Sequence, residues 1–363
     1  MNPNQKFPPY TVVHTLGGIR GLLLKLHRKL FPGSVVLYEQ FQSFWLMQPL
    51  YIAAELDIAG LLKDKPLSVE ELAAKSDSQP EPLYRVLRAL SSEGIFRETE
   101  GRRFKLNSRS RALLEGDGSM RHMIIHHLGK INWEAFGNLM HTVRTGQNAF
   151  TGLHGTDVYP FLKQNPEELG RFEKSMTELS ALSSGPILAR YDFSKHKTVA
   201  DIGGGEGLLL KEILQKHPGL TGILFDLPGT SAKAAEQIRV SCLDRRISFV
   251  SGSFLEPFRL EADLYLMKNV LHNWDDAHCS SILTNLRTTM PEGSTVLILE
   301  MAVPGPNMAS WSKLVDMQML ATMPGGRERT IEEYEALLKK SGFSLKRTIP
   351  TISPLSILET VGE

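Results

Sequence analysis

The second half of the chain alternates short apolar runs with helical segments, a pattern that only a few folds accommodate. Runs typical of β-strands lie at 198–202, 223–226, 247–250, 262–267 and 295–300. Strands that alternate with helices predict a parallel sheet that is covered on both faces. Two further runs, 343–349 and 355–361, follow the last helical pattern and are expected to pair antiparallel. The sequence therefore predicts an α/β fold with a mostly parallel sheet.

A glycine-rich turn follows the first of these strands. The segment 201–207 begins with Asp201 and holds four glycines. Glycines let backbone N–H groups approach a ligand closely, and a helix start favours negative charge. Asp226 ends the second strand, where an acidic residue commonly binds ribose hydroxyls, although a helix cap is an alternative role for it. The G-x-G-x-G spacing differs from the G-x-G-x-x-G fingerprint of dinucleotide-binding proteins.

The region before the sheet is helical. Ser68 and Glu71 are typical of a capping box, and we expect the next helix to begin at Pro82 and end at Gly94. Two short strands then complete a winged helix, which can bind DNA or form a dimerisation scaffold. The helix that would read DNA carries two arginines, so we favour the scaffold. The apolar tract 44–62 is too hydrophobic for one amphipathic face and is predicted to be buried against a second subunit.

Charge and composition exclude several classes of protein. Lys plus Arg number 41 and Asp plus Glu 40, which argues against nucleic acid as the main partner because phosphate binding needs a basic surplus. The two cysteines form no CxxC pair, which argues against a thiolate zinc site and suits a reducing compartment. We find no signal peptide and no apolar run near the ~20 residues of a membrane span. We therefore expect a cytoplasmic protein without stable membrane insertion.

The N-terminal extension, residues 1–37, has apolar residues at helical spacing with basic residues between them. Leu16, Ile19, Leu22, Leu26 and Leu30 carry this pattern, and the predicted helix ends before Pro32. One interpretation is a basic amphipathic helix that binds a membrane or a partner. The other is a helix that docks on the body of the protein or on a second subunit. We favour the second interpretation because the basic residues are few.

Taken together, these motifs resemble the S-adenosylmethionine-dependent small-molecule O-methyltransferases of the caffeate, acetylserotonin and bacterial polyketide-tailoring type. The resemblance covers about residues 38–360. It lies in the segments 201–207, 225–228, 252–254, 266–276 and 325–330.

The resemblance implies a Rossmann-like, mostly parallel seven-stranded methyltransferase sheet with an N-terminal α-helical winged-helix dimerisation domain. It implies an extension at 1–37, the dimerisation domain at 38–117, a helical linker lining the acceptor pocket at 118–191, and the catalytic domain at 192–363. It also implies a homodimer that uses S-adenosylmethionine, releases S-adenosylhomocysteine and needs no metal.

The resemblance further assigns roles to residues that would bind the cofactor. Asp201 and Leu227 would bind the cofactor, the loop glycines would face its methionine part, and Asp226 would hold the ribose hydroxyls. Ser253 and Phe254 would border the adenine; many relatives carry Asp at the first of these positions, and a serine hydroxyl would bond more weakly. Lys268 would reach the adenosine, and Trp274 would pack beside cofactor or acceptor. The loop glycines in question are Gly203, Gly205 and Gly207.

His272 is the candidate general base. Transfer of a methyl group to a phenol requires loss of the hydroxyl proton, and a neutral imidazole with a pKa near ~6.5 suits that task. Glu300 ends the strand after the one that His272 follows, so the two can meet, and we expect Glu300 to orient the imidazole. Glu328 matches the second carboxylate that flanks the histidine in the family. Acceptor-pocket candidates are His126, Trp133, Met317 and Met323.

We therefore expect methyl transfer to a hydroxyl, phenolic in the leading interpretation, of a small secondary metabolite such as an aromatic polyketide or a phenylpropanoid-like compound. One alternative keeps the fold but methylates carbon or nitrogen, or catalyses a non-methylating reaction. Another is a ligand-sensing winged-helix regulator that binds DNA. The intact set of His272, Glu300 and Glu328 favours O-methylation.

Overall fold

The structure is a computed structural model that describes residues 8–363, apart from the side chains of residues 231–233, 237 and 240. The first seven residues of the predicted 1–37 extension lie outside the described part. The described chain forms two compact units. The sheet unit contains residues 8–10, 134–161 and 180–363, and the helical unit contains residues 11–133 and 162–179.

The strands fall into two sheets. They are β1 (Leu67–Ser68), β2 (Arg97–Thr99), β3 (Arg103–Lys105), β4 (Thr198–Ile202), β5 (Thr221–Asp226), β6 (Ile247–Ser251), β7 (Leu264–Lys268), β8 (Thr295–Glu300), β9 (Phe343–Pro350) and β10 (Ser356–Gly362). The helices of the helical unit, some of which continue into the sheet unit, are α1 (Tyr10–Leu30), α2 (Gly33–Glu55), α3 (Ile58–Leu61), α4 (Val69–Lys75), α5 (Pro80–Ser92), α6 (Arg121–Leu128), α7 (Lys130–Gly137) and α11 (Pro166–Arg190).

The remaining helices are α8 (Leu139–Thr145), α9 (Ala149–His154), α10 (Val158–Gln164), α12 (Leu208–Lys216), α13 (Pro228–Val240), α14 (Asp276–Thr289), α15 (Trp311–Thr322) and α16 (Ile331–Lys340). They belong to the sheet unit, apart from residues 162–164 of α10, which belong to the helical unit. Short 3₁₀ turns occupy Ser110–Leu113, Phe193–Lys195 and Leu271–Asn273. Within the described residues, no helix is both long and apolar enough to span a bilayer.

The large sheet has seven strands in the order β6-β5-β4-β7-β8-β10-β9. The first five strands in this order run parallel, and β10 pairs antiparallel with both β8 and β9. The predicted fold class and the antiparallel closing pair are thus confirmed. The predicted bounds shift slightly, since β5 begins at Thr221 and β7 runs from Leu264 to Lys268.

The central strands are buried on both faces, which is why they read as continuous apolar runs. Residues 264–267 of β7 and 296–300 of β8 are all buried. One apolar cluster, with Leu209, Leu224 and Leu266, lies on one face of the sheet, and another, with Ile202, Tyr265 and Ile298, lies on the other. This packing fixes the carboxyl ends of β4, β7 and β8, where the candidate site residues follow.

The helical unit contains a helix pair and a three-stranded sheet in the order β1-β3-β2, as expected for a winged helix. The predicted capping box is confirmed, because the Ser68 side chain accepts from the Glu71 N–H and the Glu71 carboxylate accepts from the Ser68 N–H. Helix α5 begins at Pro80 rather than at the predicted Pro82, with Pro80 in the first turn where a missing N–H costs nothing.

The apolar tract 44–62 divides into two parts. Ala53, Ile58 and Leu62 are buried in the core of their own subunit, so the expectation that the whole tract faces a second subunit is wrong for this part. Phe44 and Trp45, in contrast, are about half exposed, at 55% and 53%. The turn at Asp57, whose backbone lies in the left-handed region, separates α2 from α3, where Ile58 and Ala59 are buried.

Candidate active site

The glycine-rich loop leaves the carboxyl end of β4 and leads into α12. The Gly203 N–H donates to the Phe225 carbonyl of the neighbouring strand at 2.8 Å. Gly203 has a φ of 68°, and a Cβ there would lie 3.1 Å from Val270 and 3.3 Å from Phe254. A side chain at this position would therefore be strained and would fill the space above the strand ends. Gly205 and Gly207 also have positive φ.

Asp226 binds this loop in the structure. Its Oδ2 accepts the Gly205 N–H at 2.8 Å, and its Oδ1 accepts the Leu227 N–H at 2.7 Å. Burial raises the pKa of Asp226, and the hydrogen bonds from Gly205 and Leu227 oppose that rise. Leu227 itself caps α13 and is largely exposed. Asp226, which the sequence predicts to bind ribose, therefore holds the glycine loop in place in this structure.

Asp201, Lys268 and Ser180 form a buried polar group under the loop. Lys268 Nζ donates to the Ser180 hydroxyl, so Lys268 is not a solvated surface lysine. Desolvation lowers the pKa of Lys268 to about 8, and Asp201 opposes this shift. Desolvation raises the pKa of Asp201 to about 7, against the attraction of Lys268. Asp201 Oδ1 is buried and has no hydrogen-bond partner among the described residues.

An aromatic wall stands beside the loop. The Trp274 ring lies 6.1 Å from the Phe254 ring, edge on, and 6.3 Å from the Tyr159 ring, nearly parallel. Burial and the negative charge of Asp226 raise the pKa of the Tyr159 phenol. Tyr159 lies on α10, far along the chain from the other site residues, and the sequence alone does not distinguish it from the other aromatic residues of 118–191. Ser253, next to Phe254, uses its hydroxyl to accept the Leu255 N–H at 3.2 Å.

His272 lies in the 3₁₀ turn after β7, against two buried carboxylates. Its Nδ1 is 2.8 Å from Glu328 Oε1 and 3.8 Å from Glu300 Oε2. Glu300 Oε1 accepts the N–H groups of Val270 and Leu271, both at 2.9 Å. The expectation that Glu300 orients the imidazole is therefore corrected: Glu328 makes that hydrogen bond, while Glu300 binds the backbone of the histidine turn and lies close to the ring.

This environment makes His272 a strong base. Desolvation lowers its pKa, but the charge of Glu300 and the hydrogen bond and charge of Glu328 outweigh that effect and raise the pKa to about 9. Desolvation also raises the pKa of Glu300, and the positive charge of His272 opposes it. The sequence expectation of an imidazole near its usual pKa does not hold, because it did not include two buried carboxylates.

Arg329 fixes the loop that carries Glu328. Its fully buried guanidinium donates to the Leu271 carbonyl at 3.0 Å, the Trp274 carbonyl at 2.8 Å and Asp276 Oδ1 at 2.8 Å. The Glu328 N–H donates to Asp316 on α15 at 2.9 Å. Sequence reasoning missed both Arg329 and Asp316. The run Gly-Arg-Glu-Arg does not reveal which of its arginines points inward.

We call His272, Glu300 and Glu328 the histidine cluster. These three residues also form a donor set that could hold a metal ion. Their ligand atoms lie within 4.8 Å of one another. A metal bound through His272 Nδ1 would compete with the hydrogen bond between this atom and Glu328 Oε1. Desolvation lowers the pKa of His126 to about 3, so this ring stays neutral.

The acceptor-pocket candidates divide between the two units. In the helical unit, His126 is buried with its ring 5.4 Å from Phe172, and Trp133 stacks on Phe44 at 5.4 Å. In the sheet unit, Met317 lies on α15 and is partly exposed, while the buried Met323 caps that helix.

Two family models match most of the chain. A family model described as an O-methyltransferase domain matches residues 136–344. A model described as an O-methyltransferase dimerisation domain matches residues 38–116.

Individual relatives cover almost the full chain. A phenazine O-methyltransferase of Lysobacter antibioticus is 37% identical over 329 residues, which is 90% of this chain and 96% of the relative. An 8-amino-8-demethylriboflavin N,N-dimethyltransferase of Streptomyces davaonensis is 30% identical over 318 residues, covering 86% of this chain and 91% of the relative.

Solved structures of other proteins superpose on most of this chain. A crystal structure of LaPhzM superposes with a TM-score of 0.88 at 36% identity and covers 92% of this chain and 100% of that one. An O-methyltransferase from neocarzinostatin biosynthesis, crystallised with S-adenosylmethionine and 2-hydroxy-5-methyl naphthoic acid, gives a TM-score of 0.76 at 28% identity, covering 87% of this chain and 96% of that one.

Proposed function

The chain belongs to the S-adenosylmethionine-dependent O-methyltransferases, and from this premise we propose that it methylates a hydroxyl on a small aromatic acceptor with His272 as general base. Its cofactor is S-adenosylmethionine, and it forms a homodimer through its dimerisation domain. The observation that carries the proposed mechanism is the buried hydrogen bond between His272 Nδ1 and Glu328, beside Glu300.

The residues at the carboxyl ends of β4 and β5 fit the cofactor. Asp201 Oδ1 is buried without a partner among the described residues, as expected for an acceptor that awaits a cationic donor such as the cofactor's ammonium. A Cβ at Gly203 would occupy the space next to Phe254. We propose that Asp201 with the three loop glycines holds the amino-acid part, Asp226 and Leu227 the ribose, and Ser253, Phe254 and Lys268 the adenosine. Trp274 walls the same space.

A substitution at Asp226 tests this placement. Because a hydrogen bond to a charged group contributes about 1.5–3 kcal/mol, Asp226→Asn should weaken S-adenosylhomocysteine binding by about 10–100-fold in calorimetry. The control Glu256→Gln removes an exposed carboxylate that follows β6, and should leave the affinity unchanged. Equal affinity of wild type and Asp226→Asn would contradict the assignment, provided that both proteins unfold at the same temperature.

The cofactor supplies a methyl group on a positively charged sulfur, and the protein must position the acceptor and remove its proton. When His272 is neutral and its Nδ1–H donates a hydrogen bond to Glu328, the ring presents a lone pair at Nε2. That lone pair accepts the acceptor's hydroxyl proton as the oxygen attacks. Glu328 then stabilises the imidazolium by a charge-assisted hydrogen bond, and Glu300 adds its charge at 3.8 Å.

The acceptor class is argued from the residues and the relatives. Met317 and Met323 are adaptable apolar side chains suited to contact flat rings. Relatives act, by their names, on a phenazine and on an aminohydroxybenzoate, and one structural neighbour holds a naphthoic acid. We therefore propose a flat aromatic acceptor with a phenolic hydroxyl.

Replacement of His272 tests the base. His272→Ala should lower kcat by about 10²–10⁴-fold, the usual contribution of a positioned proton acceptor, on a phenolic acceptor found by mass-spectrometric screening with labelled cofactor. Affinity for S-adenosylhomocysteine should stay within about two-fold, since the glycine loop is unchanged. The control is His278→Ala, which removes a half-exposed histidine bound to Asp275 on the same segment. Near-wild-type turnover of His272→Ala at neutral pH would rule out this mechanism.

N-methylation is the second candidate, and a specific observation supports it. The riboflavin-related relative that is 30% identical is named an N,N-dimethyltransferase. An aromatic amine needs less help from a base, because its lone pair attacks before the proton leaves. An acceptor screen that includes aromatic amines distinguishes the two: if amines are methylated and phenols are not, and His272→Ala leaves that rate unchanged, N-methylation is the function.

A further inference from the structure

Helix α1 is the one long helix of the described residues that has no buried residue. It runs from Tyr10 to Leu30, before the residues 38–116 and 136–344 that the two family models match. The methyltransferase function therefore does not account for it.

Its apolar residues share one face. At about 100° per residue, the large aliphatic side chains of this face fall within an arc of about 120°. All are exposed, from 46% for Val12 to 78% for Leu30. The set is Val12, Leu16, Ile19, Leu22, Leu23, Leu26 and Leu30, which we call the aliphatic face. Such a face is not stable in water and needs a surface to cover it.

The charge on the rest of the helix is of one sign. Residues 1–38 contain five Lys or Arg and no Asp or Glu, although the whole chain is balanced at 41 against 40. Arg20, Lys25, Arg28 and Lys29 lie outside the arc of the aliphatic face, toward its flanks and the opposite side of the helix. This separation of aliphatic and basic faces is typical of helices that lie in the plane of a membrane surface.

We propose that α1 binds an anionic lipid surface, with its aliphatic face among the upper acyl chains and its basic residues at the head groups. The long stems of Lys and Arg let the charges reach phosphate while the backbone lies deeper. The sequence favours a helix docked on the protein or on a second copy, but the structure buries no residue of α1. The absence of carboxylates in residues 1–38 favours a lipid surface over a second copy of the chain, whose surface carries both signs of charge. The proposal does not depend on the acceptor or on the base.

The glycines of the helix fit this assignment. Gly17, Gly18 and Gly21 have open space where a Cβ would lie, so no packing contact requires them. Glycine weakens an isolated helix, and α1 is therefore expected to depend on the surface that covers its aliphatic face.

Vesicle binding by the full-length dimer tests the proposal. Sedimentation with vesicles of phosphatidylcholine that contain about one-third phosphatidylglycerol should pull down the protein, and pure phosphatidylcholine should not. Raising the salt from about 0.05 M to about 0.5 M should reduce binding, because the Debye length shortens several-fold. Leu23→Glu, on the aliphatic face, should weaken binding by about ten-fold or more.

The neighbouring residue gives a matched control. Leu24 is similarly exposed, at 45% against 60% for Leu23, but lies outside the arc of the aliphatic face. Leu24→Glu makes the same change in charge and should retain binding within about two-fold. Equal loss in both variants would overturn the proposal, as would a wild-type protein that stays off anionic vesicles. Dissociation of the dimer by Leu23→Glu without vesicle binding of the wild type would assign the aliphatic face to a second copy instead.

Discussion

At the scale of single residues, the protonation state of the histidine cluster determines whether His272 can act as a base. Two buried carboxylates and one imidazole carry a net negative charge when all are ionised, which is costly away from water. The cluster responds by holding protons, since burial raises the pKa of Glu300 and the carboxylates raise that of His272 to about 9. In the free protein at neutral pH the imidazole is therefore mostly protonated, and it must lose a proton before it can act as a base.

The pH dependence of the reaction follows from this. Because the base must be neutral, kcat/KM should rise with pH, about ten-fold per unit below the pKa of His272, and level off near pH 9. In Glu328→Gln the imidazolium loses a stabilising charge and the pKa of His272 falls. The rising limb of the pH profile should therefore move to lower pH. The acceptor's own ionisation cannot produce that difference, since the same acceptor is used for both proteins. The control Glu332→Gln, an exposed carboxylate on α16, should leave the limb in place; a limb common to all three proteins would contradict the assignment.

The residues of this cluster could be predicted from the sequence, but their contacts could not. His272 and Glu300 follow neighbouring parallel strands, which places them together on topology alone. Glu328 lies in an irregular loop, and its match to the family motif gave its presence but not its role. Its hydrogen bond to His272 depends on side-chain rotamers and on the loop's anchoring by buried Arg329, and neither has a signature in the residue pattern.

At the scale of elements, the segment 325–330 is held by a side chain that strand and helix patterns do not reveal. Arg329 is buried and binds the carbonyls of Leu271 and Trp274, on either side of His272. The Arg327 N–H donates to the His272 carbonyl at 2.8 Å. The loop and the histidine turn thus form one rigid unit, which keeps Glu328 at hydrogen-bond distance from the imidazole.

Replacing Arg329 should therefore cost stability. Arg329→Met leaves two buried carbonyls without their donor and should lower the free energy of unfolding by about 2–5 kcal/mol. Arg327→Met, two residues away, removes a side chain that is 43% exposed and pairs with Asp276 and Glu333, and should cost about 1 kcal/mol or less. Chemical denaturation at one fixed protein concentration measures both. A similar cost for the two variants would show that the buried contacts do not hold the loop.

The strands and helices could be predicted from the periodicity of apolar residues. The elements whose bounds were predicted wrongly show the limits of this pattern. The strands of the sheet follow apolar runs and shift by at most two residues, because burial on both faces leaves a continuous signal. The start of α5 was misplaced because Pro80 and Pro82 are both compatible with a first helical turn. The prediction that the whole tract 44–62 faces a second subunit was wrong, because apolar composition does not show whether the covering surface belongs to the same subunit.

At the scale of the whole molecule, the order of segments could be predicted from the sequence, but the division of the chain between the two units could not. Residues 118–191, expected to form one linker, are divided, because residues up to 133 and 162–179 belong to the helical unit and the rest to the sheet unit. The long helix α11 continues from one unit into the other. Local periodicity cannot reveal such a division, since it depends on contacts between segments far apart in sequence. The proposed domain bounds therefore remain a prediction.

The dimer allows a final prediction about the molecule as an assembly. Helix α2 carries an exposed aromatic row in which Tyr38, Phe41 and Trp45 are each more than half exposed, and the rings of the last two lie 4.9 Å apart. The row lies at the start of the matched dimerisation domain, so we expect it to be buried by the partner.

Buried aromatic anchors dominate interface energies, and Phe41→Glu should weaken dimerisation by about 100-fold or more. Ser43→Glu adds the same charge on the opposite side of α2, at another exposed position, and should leave the dimer intact. Analytical ultracentrifugation at micromolar concentration separates the cases: a fully dimeric Phe41→Glu variant would exclude this row from the interface, whereas a monomer that keeps its far-ultraviolet spectrum would place the row there.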